Sequence, residues 1–330
     1  MLAGEAVAWP LVSDAASGGA AERDRDRRSR AVRELDDFLP RWCSGDGELP
    51  AIARRVLAVP GKRLRARLAL ASAALGDGEL IDPDAVRVAA AVELLHEASL
   101  AHDDVCDRSL LRRGAPSVAA AFGMRIAVRL GIWLAARGLA LIGDVEGRRR
   151  LGLALAPLTA LAEGQLLETV PGEGSVAERR DHYLTVVRAK TGALMRLACD
   201  AGARVAGLSV AHRDALAGFA DGFGTAFQIW DDVRDLEAPA TLGKPGGSDL
   251  ANGVWTWPML EWLGDRPDAV ALVEAGLPLE ALRAELVASG ALRRARAFAA
   301  AELARARQAV LALPDRPGRA WLLEICEVIA

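Results

Sequence analysis

The sequence has few of the residues that build disulfide scaffolds or zinc modules. Its 330 residues include only four histidines and four cysteines, and the cysteines lie far apart without a CxxC pair. The cysteines are Cys43, Cys106, Cys199 and Cys326. Disulfide frameworks and structural zinc sites use closely spaced cysteines, so this distribution argues against both classes.

Long apolar runs and a charge imbalance are also missing. No stretch approaches the roughly 20 uncharged apolar residues that span a bilayer, and residues 1–10 lack the basic start and apolar run of a signal peptide. We therefore expect a protein of the reducing cytoplasm. With 41 Lys and Arg against 44 Asp and Glu, the formal net charge is −3, which removes the broad electrostatic case for nucleic-acid binding.

Aromatic residues make up only 5% of the chain, whereas hydrophobic residues make up 52%. Ala, Leu and Val interleaved with Arg and Glu favour helices over β-sandwiches. From about Ala31 onward, apolar residues recur at three- and four-residue spacing between short Gly, Pro and Asp breaks. No repeat or polar linker divides this part, so we predict that residues 31–330 form one large all-α helical bundle. The predicted helices are 84–107, 117–142, 148–168, 176–206, 211–236 and 279–312.

The first 30 residues follow a different pattern. Small residues and an alternating charge run from Glu22 to Arg28 leave too little apolar surface to pack. Residues 1–30 are therefore predicted to be a mobile N-terminal tail.

Two DDxxD segments are the strongest chemical signal. They are the first acidic cluster (Asp103, Asp104 and Asp107) and the second acidic cluster (Asp231, Asp232 and Asp235). On a helix, positions i and i+4 share a face, so each cluster presents two carboxylates in one direction. A single such segment is typically a solvated acidic turn, in which repulsion costs only about 0.2–0.5 kcal/mol per pair.

Both clusters, however, end largely apolar helices that we expect to be buried, where unneutralised carboxylates are costly. Carboxylates without His or Cys partners suit a hard cation, and Mg²⁺ typically binds one or two carboxylates while sharing a substrate phosphate. Two clusters that face one another would therefore hold several Mg²⁺ ions around a diphosphate.

Basic residues occur where an anionic substrate would need them. They are Lys62, Arg63 and Arg65, then Arg112 and Arg113, then Lys190, and finally Lys244 in the Gly-rich segment 243–249. Arginine and lysine both recognise phosphate oxygens. Each of them taken singly is typical of a surface charge or a turn, and the P-loop spacing is absent. Their joint order around the acidic clusters is what indicates phosphate binding.

In this order of motifs the sequence resembles the trans-isoprenyl diphosphate synthases, also called polyprenyl synthetases. Besides the two acidic clusters, the matching motifs are Gly61-Lys62-Arg63-Leu64-Arg65, Glu93-Leu94-Leu95-His96, Arg112-Arg113-Gly114-Ala115-Pro116, Gly164-Gln165, Lys190-Thr191, Gly224 to Trp230, Gly243-Lys244 and Asp249-Leu250. The resemblance covers roughly residues 31–330. It implies a helical bundle around a central apolar cavity, and a homodimer.

The resemblance also implies a reaction, the head-to-tail condensation of an allylic diphosphate with isopentenyl diphosphate. The allylic C–O bond ionises, the isopentenyl double bond attacks the carbocation, and a proton is lost. Heterolysis in a dry cavity needs metals and cations aimed at the departing diphosphate. By this resemblance, Asp103, Asp104, Asp107, Asp231, Asp232 and Asp235 hold Mg²⁺, with three ions expected per site, and Arg112, Lys190 and Lys244 bind the allylic diphosphate. Lys62, Arg65, His96 and Arg113 bind isopentenyl diphosphate, and Thr191 and Gln228 offer oxygens near the cation.

His96 has two interpretations. A lone histidine on an apolar helix face is more often a core residue than a ligand. However, His96 precedes Asp103 by seven residues, which places it two turns away on the same face, and we favour the functional role. His102, next to the cluster, is interpreted as structural.

Product length in the resembled family depends on bulk one helical turn before the first aspartate. Here those positions are Ala98 and Ser99, which are small. We therefore predict a product of four or more isoprene units, geranylgeranyl diphosphate or longer, unless Trp133 or Phe122 from a neighbouring helix forms the floor of the tunnel.

Three positions depart from the family pattern. Val254 stands where a lysine is expected, which removes one diphosphate contact, Ile132 stands where an aspartate is typical, and Ala119 stands where a histidine is common. These departures suggest divergence from housekeeping members.

Two alternatives remain open on sequence alone. A class I terpene cyclase, or a prenyltransferase with another acceptor, would also use metal-bound aspartates, but a cyclase needs no second diphosphate site of the kind that Lys62, Arg65 and Arg113 suggest. A non-catalytic partner subunit has no need for both acidic clusters.

Overall fold

Helices account for nearly all of the described structure. The computed structural model describes residues 20–59, 61–77, 82–146, 152–170, 172–237, 254–266 and 268–328. The helices are α1 (Ala20–Trp42), α2 (Glu48–Leu57), α3 (Leu64–Ala73), α4 (Pro83–Cys106), α5 (Val118–Phe122), α6 (Met124–Glu146), α7 (Gly152–Glu168), α8 (Val176–Val187), α9 (Ala193–Val205), α10 (Val210–Glu237), α11 (Trp257–Asp265), α12 (Ala269–Glu274), α13 (Leu279–Ala288), α14 (Ala291–Leu311) and α15 (Pro317–Glu327). A π-helical turn, Arg188–Gly192, joins α8 to α9. The predicted all-α bundle is confirmed.

The described residues contain one small sheet, between α4 and α5. It is an antiparallel hairpin of β1 (Leu111–Arg112) and β2 (Ala115–Pro116), in which Leu111 pairs with Pro116 and Arg112 with Ala115. The hairpin positions the two arginines that follow the first acidic cluster.

Helix α4 runs through the interior of the bundle. Asp82 caps it by accepting a hydrogen bond from the Asp84 amide at 2.8 Å, and Pro83 occupies the first turn. Most of the helix from Ala85 to Ala101 is buried, because α1, α3, α6 and α9 pack around it. A helix that is apolar on all sides is stable only in such a position. Its C-terminal end carries the first acidic cluster to the edge of the core.

Helix α6 packs closely along α4. A Cβ atom at Gly138 would lie 2.9 Å from the carbonyl oxygen of Ala91 and 3.1 Å from Cγ of Leu95, so only glycine allows this approach. His102 reaches across the same interface, with its Nε2 3.1 Å from the Val128 carbonyl oxygen. This contact agrees with the structural role predicted for His102.

Within α6, Met124–Val145 is long and apolar enough to cross a membrane by length and composition. Sequence analysis predicted no such segment. Only 39% of its most apolar window is buried, but one such helix is weak evidence, since core helices of soluble proteins pass the same test. The cytoplasmic location stays a prediction.

Several predicted boundaries need correction. Helix α1 begins at Ala20, so residues 20–30 are helical instead of part of a tail, and Arg28 forms an ion pair with Glu324 on α15. Residues 1–19 lie outside the described residues. Two predicted helices are divided by glycines with positive φ, at Gly123 (90°) and Gly290 (72°), because this conformation ends a helix and favours glycine.

Candidate active site

The carboxylates of the first acidic cluster point in two directions, one shared by Asp103 and Asp107 and the other taken by Asp104. Asp103 is partly buried and Asp107 is exposed at the C-cap of α4, and their spacing places both on one helix face. Burial raises the pKa of Asp103, Lys190 opposes this shift, and Asp107 and Glu168 add to it. The charged form of Asp103 is therefore disfavoured mainly by burial, and a nearby cation such as Lys190 stabilises it.

Asp104 is only 2% exposed, and its Oδ1 is bound by Arg112 from the hairpin. The Nε and Nη2 atoms of Arg112 donate to this oxygen at 3.0 and 2.5 Å. Helix α4 turns this carboxylate about 100° away from Asp103. Asp104 holds Arg112, and its role as a metal ligand stays a prediction.

Lys190 lies in the π-helical turn and forms an ion pair with Glu168 at 2.5 Å. Burial by itself lowers the pKa of Lys190, but Asp103, Glu168 and Asp107 together raise it above its ordinary value. Helix α7 approaches this turn closely, because a Cβ atom at Gly164 would lie 2.8 Å from the Lys190 amide nitrogen. Sequence analysis missed Glu168, although it follows the Gly164-Gln165 motif by three residues.

The second acidic cluster shows the same division. Asp231 is exposed and Asp235 is partly buried, and these two share a face of α10, whereas Asp232 is only 4% exposed. Gln228 Nε2 donates to Asp232 Oδ1 at 3.1 Å, and the Thr191 hydroxyl donates to Gln228 Oε1 at 3.0 Å. Asp232 is therefore engaged by a protein donor, and its role as a metal ligand stays a prediction. Thr191 and Gln228 are thus in contact, and their predicted role of offering oxygens near the carbocation stays a prediction.

A cleft lies beside Lys190 and Asp232. It measures about 740 Å³ with its open mouth and runs between α7, α8 and α10. Its lining includes Glu168, Lys190, Thr191, Gln228 and Asp232. Its far side is formed by Tyr183, Val186, Val254, Trp255 and neighbouring residues.

A second group of basic residues lies between α3 and α4. Arg65 Nη1 donates to His96 Nε2 at 3.0 Å. Burial, followed by the charges of Arg65 and Arg113, holds the pKa of His96 well below its usual range. Burial also lowers the pKa of Arg65, although Glu93, Glu97 and Asp103 oppose this shift. Asp103 therefore lies near both basic groups.

Arg113 joins this group from the hairpin. Its Nη2 donates to buried Glu97 at 2.8 Å and its Nη1 donates to the Val59 carbonyl oxygen at 3.0 Å. Lys62 is exposed on the segment before α3. Four predicted residues, Lys62, Arg65, His96 and Arg113, thus lie around the junction of α2, α3 and the hairpin. Glu97 and Arg63, which pairs with Glu93, are supporting residues that sequence analysis did not assign.

Some predicted residues lie elsewhere. Lys244 and Asp249 fall outside the described residues. Val254 lines the cleft, and Ile132 is 61% exposed on α6. Trp133 stands near the guanidinium of Arg137, and Phe122 lines a separate cavity of about 940 Å³ beside Arg112 and Arg113.

The donor set fits magnesium shared with a substrate. Among the described residues, no three His, Cys, Asp or Glu side chains gather as a ready-made metal cage. Mg²⁺ is usually held by one or two carboxylates plus substrate phosphates, which two separate carboxylate pairs can supply. The placement of partly buried Asp103 beside Asp107, on one helix face and near Glu168, is the observation that fits such an ion.

Comparisons with known proteins identify the family of this chain. The Polyprenyl synthetase family matches residues 47–276. An all-trans-nonaprenyl-diphosphate synthase (geranyl-diphosphate specific) of Rhodobacter capsulatus is 35% identical over 88% of this chain and 91% of its own. A geranylgeranyl diphosphate synthase of Methanosarcina mazei is 31% identical over 92% and 95%.

Solved structures show the same fold. The heptaprenyl diphosphate synthase from Staphylococcus aureus superposes with a TM-score of 0.85 at 26% identity, covering 92% of this chain and 97% of its own. A polyprenyl synthase from Caulobacter crescentus CB15, complexed with calcium and isoprenyl diphosphate, gives a TM-score of 0.83 at 29% identity, covering 94% and 97%.

Proposed function

This chain belongs to the polyprenyl synthetase family and is a trans-prenyl diphosphate synthase, and we propose that it condenses an allylic diphosphate with isopentenyl diphosphate in a magnesium-dependent reaction. The observation that supports this proposal is that Asp103 and Asp107 lie close enough to Lys190 to raise its pKa, beside a second, separate group of basic residues around Arg65. A single-substrate enzyme has no use for the second group.

Four of the six aspartates hold the metal. Asp103 with Asp107, and Asp231 with Asp235, bind Mg²⁺, with three ions expected per active site. When bound, the metal neutralises the charge that develops on the leaving diphosphate. Asp104 and Asp232 are positioning residues, since their carboxylates are already engaged by Arg112 and by Gln228.

The protein's cations bind the same diphosphate directly. Arg112, oriented by Asp104, and Lys190, kept protonated by Asp103 and Glu168, donate to its oxygens. Lys244 is assigned to this group from the sequence. Preorganised donors stabilise the departing charge more than water does, because they need no reorganisation.

The isopentenyl diphosphate site is formed by Lys62, Arg65, His96 and Arg113. His96 is neutral in this environment, because burial and neighbouring arginines disfavour its charged form. It therefore binds as a hydrogen-bond donor, while the arginines supply the charge.

Thr191 and Gln228 supply neutral side-chain oxygen atoms to the proposed position of the carbocation. The Thr191 hydroxyl donates its proton to Gln228, so the Thr191 oxygen presents lone pairs to the cleft. Such an oxygen stabilises a carbocation, which a protonated lysine or arginine cannot do.

Small residues before the first acidic cluster favour a long product. Ala98 and Ser99 lie one turn before Asp103 and leave room for a chain, so the product has four or more isoprene units.

The protein acts as a homodimer through α6. Met124, Val128 and Ile132 are exposed apolar residues at four-residue spacing, and they form one stripe on this helix. An exposed apolar stripe is typical of an interface, and a second copy of the same stripe pairs with it around a two-fold axis.

Mass measurement of products tests the function. Purified protein is incubated with Mg²⁺, isopentenyl diphosphate and each allylic diphosphate in turn. The products are then dephosphorylated, and their masses are measured by mass spectrometry. Extension in five-carbon steps is expected, and it stops when the metal is chelated. Formation of a hydrocarbon from the allylic substrate alone would support a terpene cyclase instead, and turnover only with an added second protein would support a partner subunit.

A further inference from the structure

A hydrogen-bonded assembly lies behind the second acidic cluster. Asp232 accepts on Oδ2 from the Tyr183 hydroxyl at 2.5 Å and from the Trp257 amide at 3.2 Å, while Gln228 occupies Oδ1. The three donors belong to α8, α11 and α10. One buried carboxylate therefore ties three helices together at a single point.

The contact with Tyr183 is the shortest of the three. An O–H···O⁻ distance near 2.5 Å is typical of a strong, charge-assisted hydrogen bond. Tyr183 is the only tyrosine of the chain and is buried, and its ring packs against Trp257 with 5.4 Å between ring centroids. A phenylalanine would fill the same space, so the hydroxyl adds only its bond to Asp232.

Trp257 contributes through its backbone. It begins α11, and the N-cap residue Thr256 makes no side-chain capping bond. The carboxylate of Asp232 accepts a hydrogen bond from the Trp257 amide in this first turn. It also lies at the positive end of the helix dipole. Asp232 thus caps α11, and this bond helps to fix the position of the Asp232 carboxylate.

Fixing Asp232 also fixes the rotation of α10. Successive residues of a helix differ by about 100° in direction, so the direction of Asp232 determines that of Asp231 and Asp235. These two carboxylates lie about 40° apart around the helix axis, whereas Asp232 lies about 100° from Asp231 and about 60° from Asp235. A small rotation of α10 would change the direction of both.

The same anchor determines the polarity of a chain of hydrogen bonds. Gln228 donates to Asp232, which leaves its amide oxygen free to accept from Thr191. Every donor in the chain points toward Asp232. Thr191 therefore offers the cleft an oxygen that can only accept.

We propose that Tyr183 is a positioning residue for prenyl transfer, holding Asp232 so that Asp231 and Asp235 are presented to the magnesium diphosphate. This inference rests on the function proposed above. Residues that support metal ligands from behind typically change metal affinity by about 10–100-fold when altered. Loss of the Tyr183 hydroxyl should therefore weaken metal binding far more than it disturbs packing.

Binding of magnesium pyrophosphate tests the proposal. Inorganic pyrophosphate is titrated calorimetrically into wild type, Tyr183→Phe and Leu184→Ala at fixed Mg²⁺. Leu184 is partly buried against the core on another face of α8 and is absent from the cleft lining, so its truncation reports packing loss alone. Tyr183→Phe is expected to bind at least about tenfold more weakly, whereas Leu184→Ala should unfold at lower temperature and bind like wild type.

Kinetics and a mutant cycle complete the test. In Tyr183→Phe, the Mg²⁺ concentration for half-maximal turnover should rise about tenfold, while kcat at saturating Mg²⁺ changes by only a few fold. Because Tyr183 acts through Asp232, its effect should largely disappear in an Asp232→Asn background. Unchanged pyrophosphate affinity in Tyr183→Phe, equal weakening in Leu184→Ala, or additive effects with Asp232→Asn would overturn the proposal. A wild-type protein that neither binds magnesium pyrophosphate nor extends a prenyl chain would refute the proposed function itself.

Discussion

Arg65 donates a hydrogen bond to Nε2 of His96 at 3.0 Å, in a contact buried between α3 and α4. Because arginine stays protonated and can only donate, the neutral imidazole must carry its proton on Nδ1. That atom is buried and has no hydrogen-bond partner among the described residues. The Nδ1–H group of His96 is therefore left as a hydrogen-bond donor for an anionic group.

This arrangement predicts how stability depends on pH. The folded pKa of His96 is lowered, so below about pH 6.5, the ordinary histidine value, the unfolded chain takes up a proton that the folded protein refuses. The free energy of unfolding should fall as pH decreases from 6.5. His96→Gln should lose this part of the dependence, as followed by urea denaturation at several pH values. An identical pH dependence in both proteins would show that folding leaves the pKa of His96 unshifted.

Removal of one of the exposed or partly buried aspartates should abolish ionisation of the allylic C–O bond and leave the fold intact. Asp103→Ala and Asp231→Ala each lose a carboxylate that is proposed to bind Mg²⁺. The turnover rate should therefore fall at least about a hundredfold. Asp103→Ala should also unfold at the wild-type temperature or above, since burial disfavours its charge. Single-turnover release of pyrophosphate and circular dichroism measure the two effects. Wild-type turnover by either variant would contradict the assignment.

Asp104 and Asp107 should respond differently to the same substitution. Asp104→Ala leaves Arg112 without its buried partner, and because Arg112 is partly solvated the loss of stability should be about 1–2 kcal/mol. Asp107→Ala removes an exposed side chain and should change stability by less than about 0.5 kcal/mol. Urea denaturation of both variants measures the contrast. Equal losses would mean that Asp104 does not hold Arg112.

Two glycines of α6 provide a matched test of helix packing. Gly138→Ala places a methyl group against the backbone of Ala91 and should destabilise the protein by about 1–3 kcal/mol. Gly143→Ala meets nothing within 4 Å and should stabilise the helix by up to about 1 kcal/mol. Thermal unfolding of the two variants should therefore shift in opposite directions. A shift of the same sign in both would rule out the close α4–α6 contact.

The stripe on α6 predicts the effect of a charge there. Ile132→Glu should convert the proposed dimer to monomer, because a buried carboxylate at a two-fold interface meets its own copy. Val210→Glu, at an equally exposed apolar residue on α10, is the control and should leave the dimer intact. Sedimentation velocity measures both. A monomeric wild-type protein would remove the basis for the prediction.

The sequence alone determined the helical class, the two acidic clusters and the basic residues around them, because helical periodicity and residue chemistry are local properties. It also placed Asp103 with Asp107 and Asp231 with Asp235, since a four-residue spacing puts two side chains on one helix face. Helix α4 was predicted to within one residue at each end. The predicted tail was wrong from residue 20 onward, because α1 is held by contacts with distant helices such as α15.

Only the tertiary structure decided which aspartates are buried and engaged by protein donors. The sequence treats Asp103 and Asp104, or Asp231 and Asp232, alike. The fold buries Asp104 against Arg112 and Asp232 against Tyr183, whereas Asp103, Asp107, Asp231 and Asp235 stay more exposed. These partners lie 8 and 49 residues away, and burial of a carboxylate depends on donors that packing, not spacing, brings within reach.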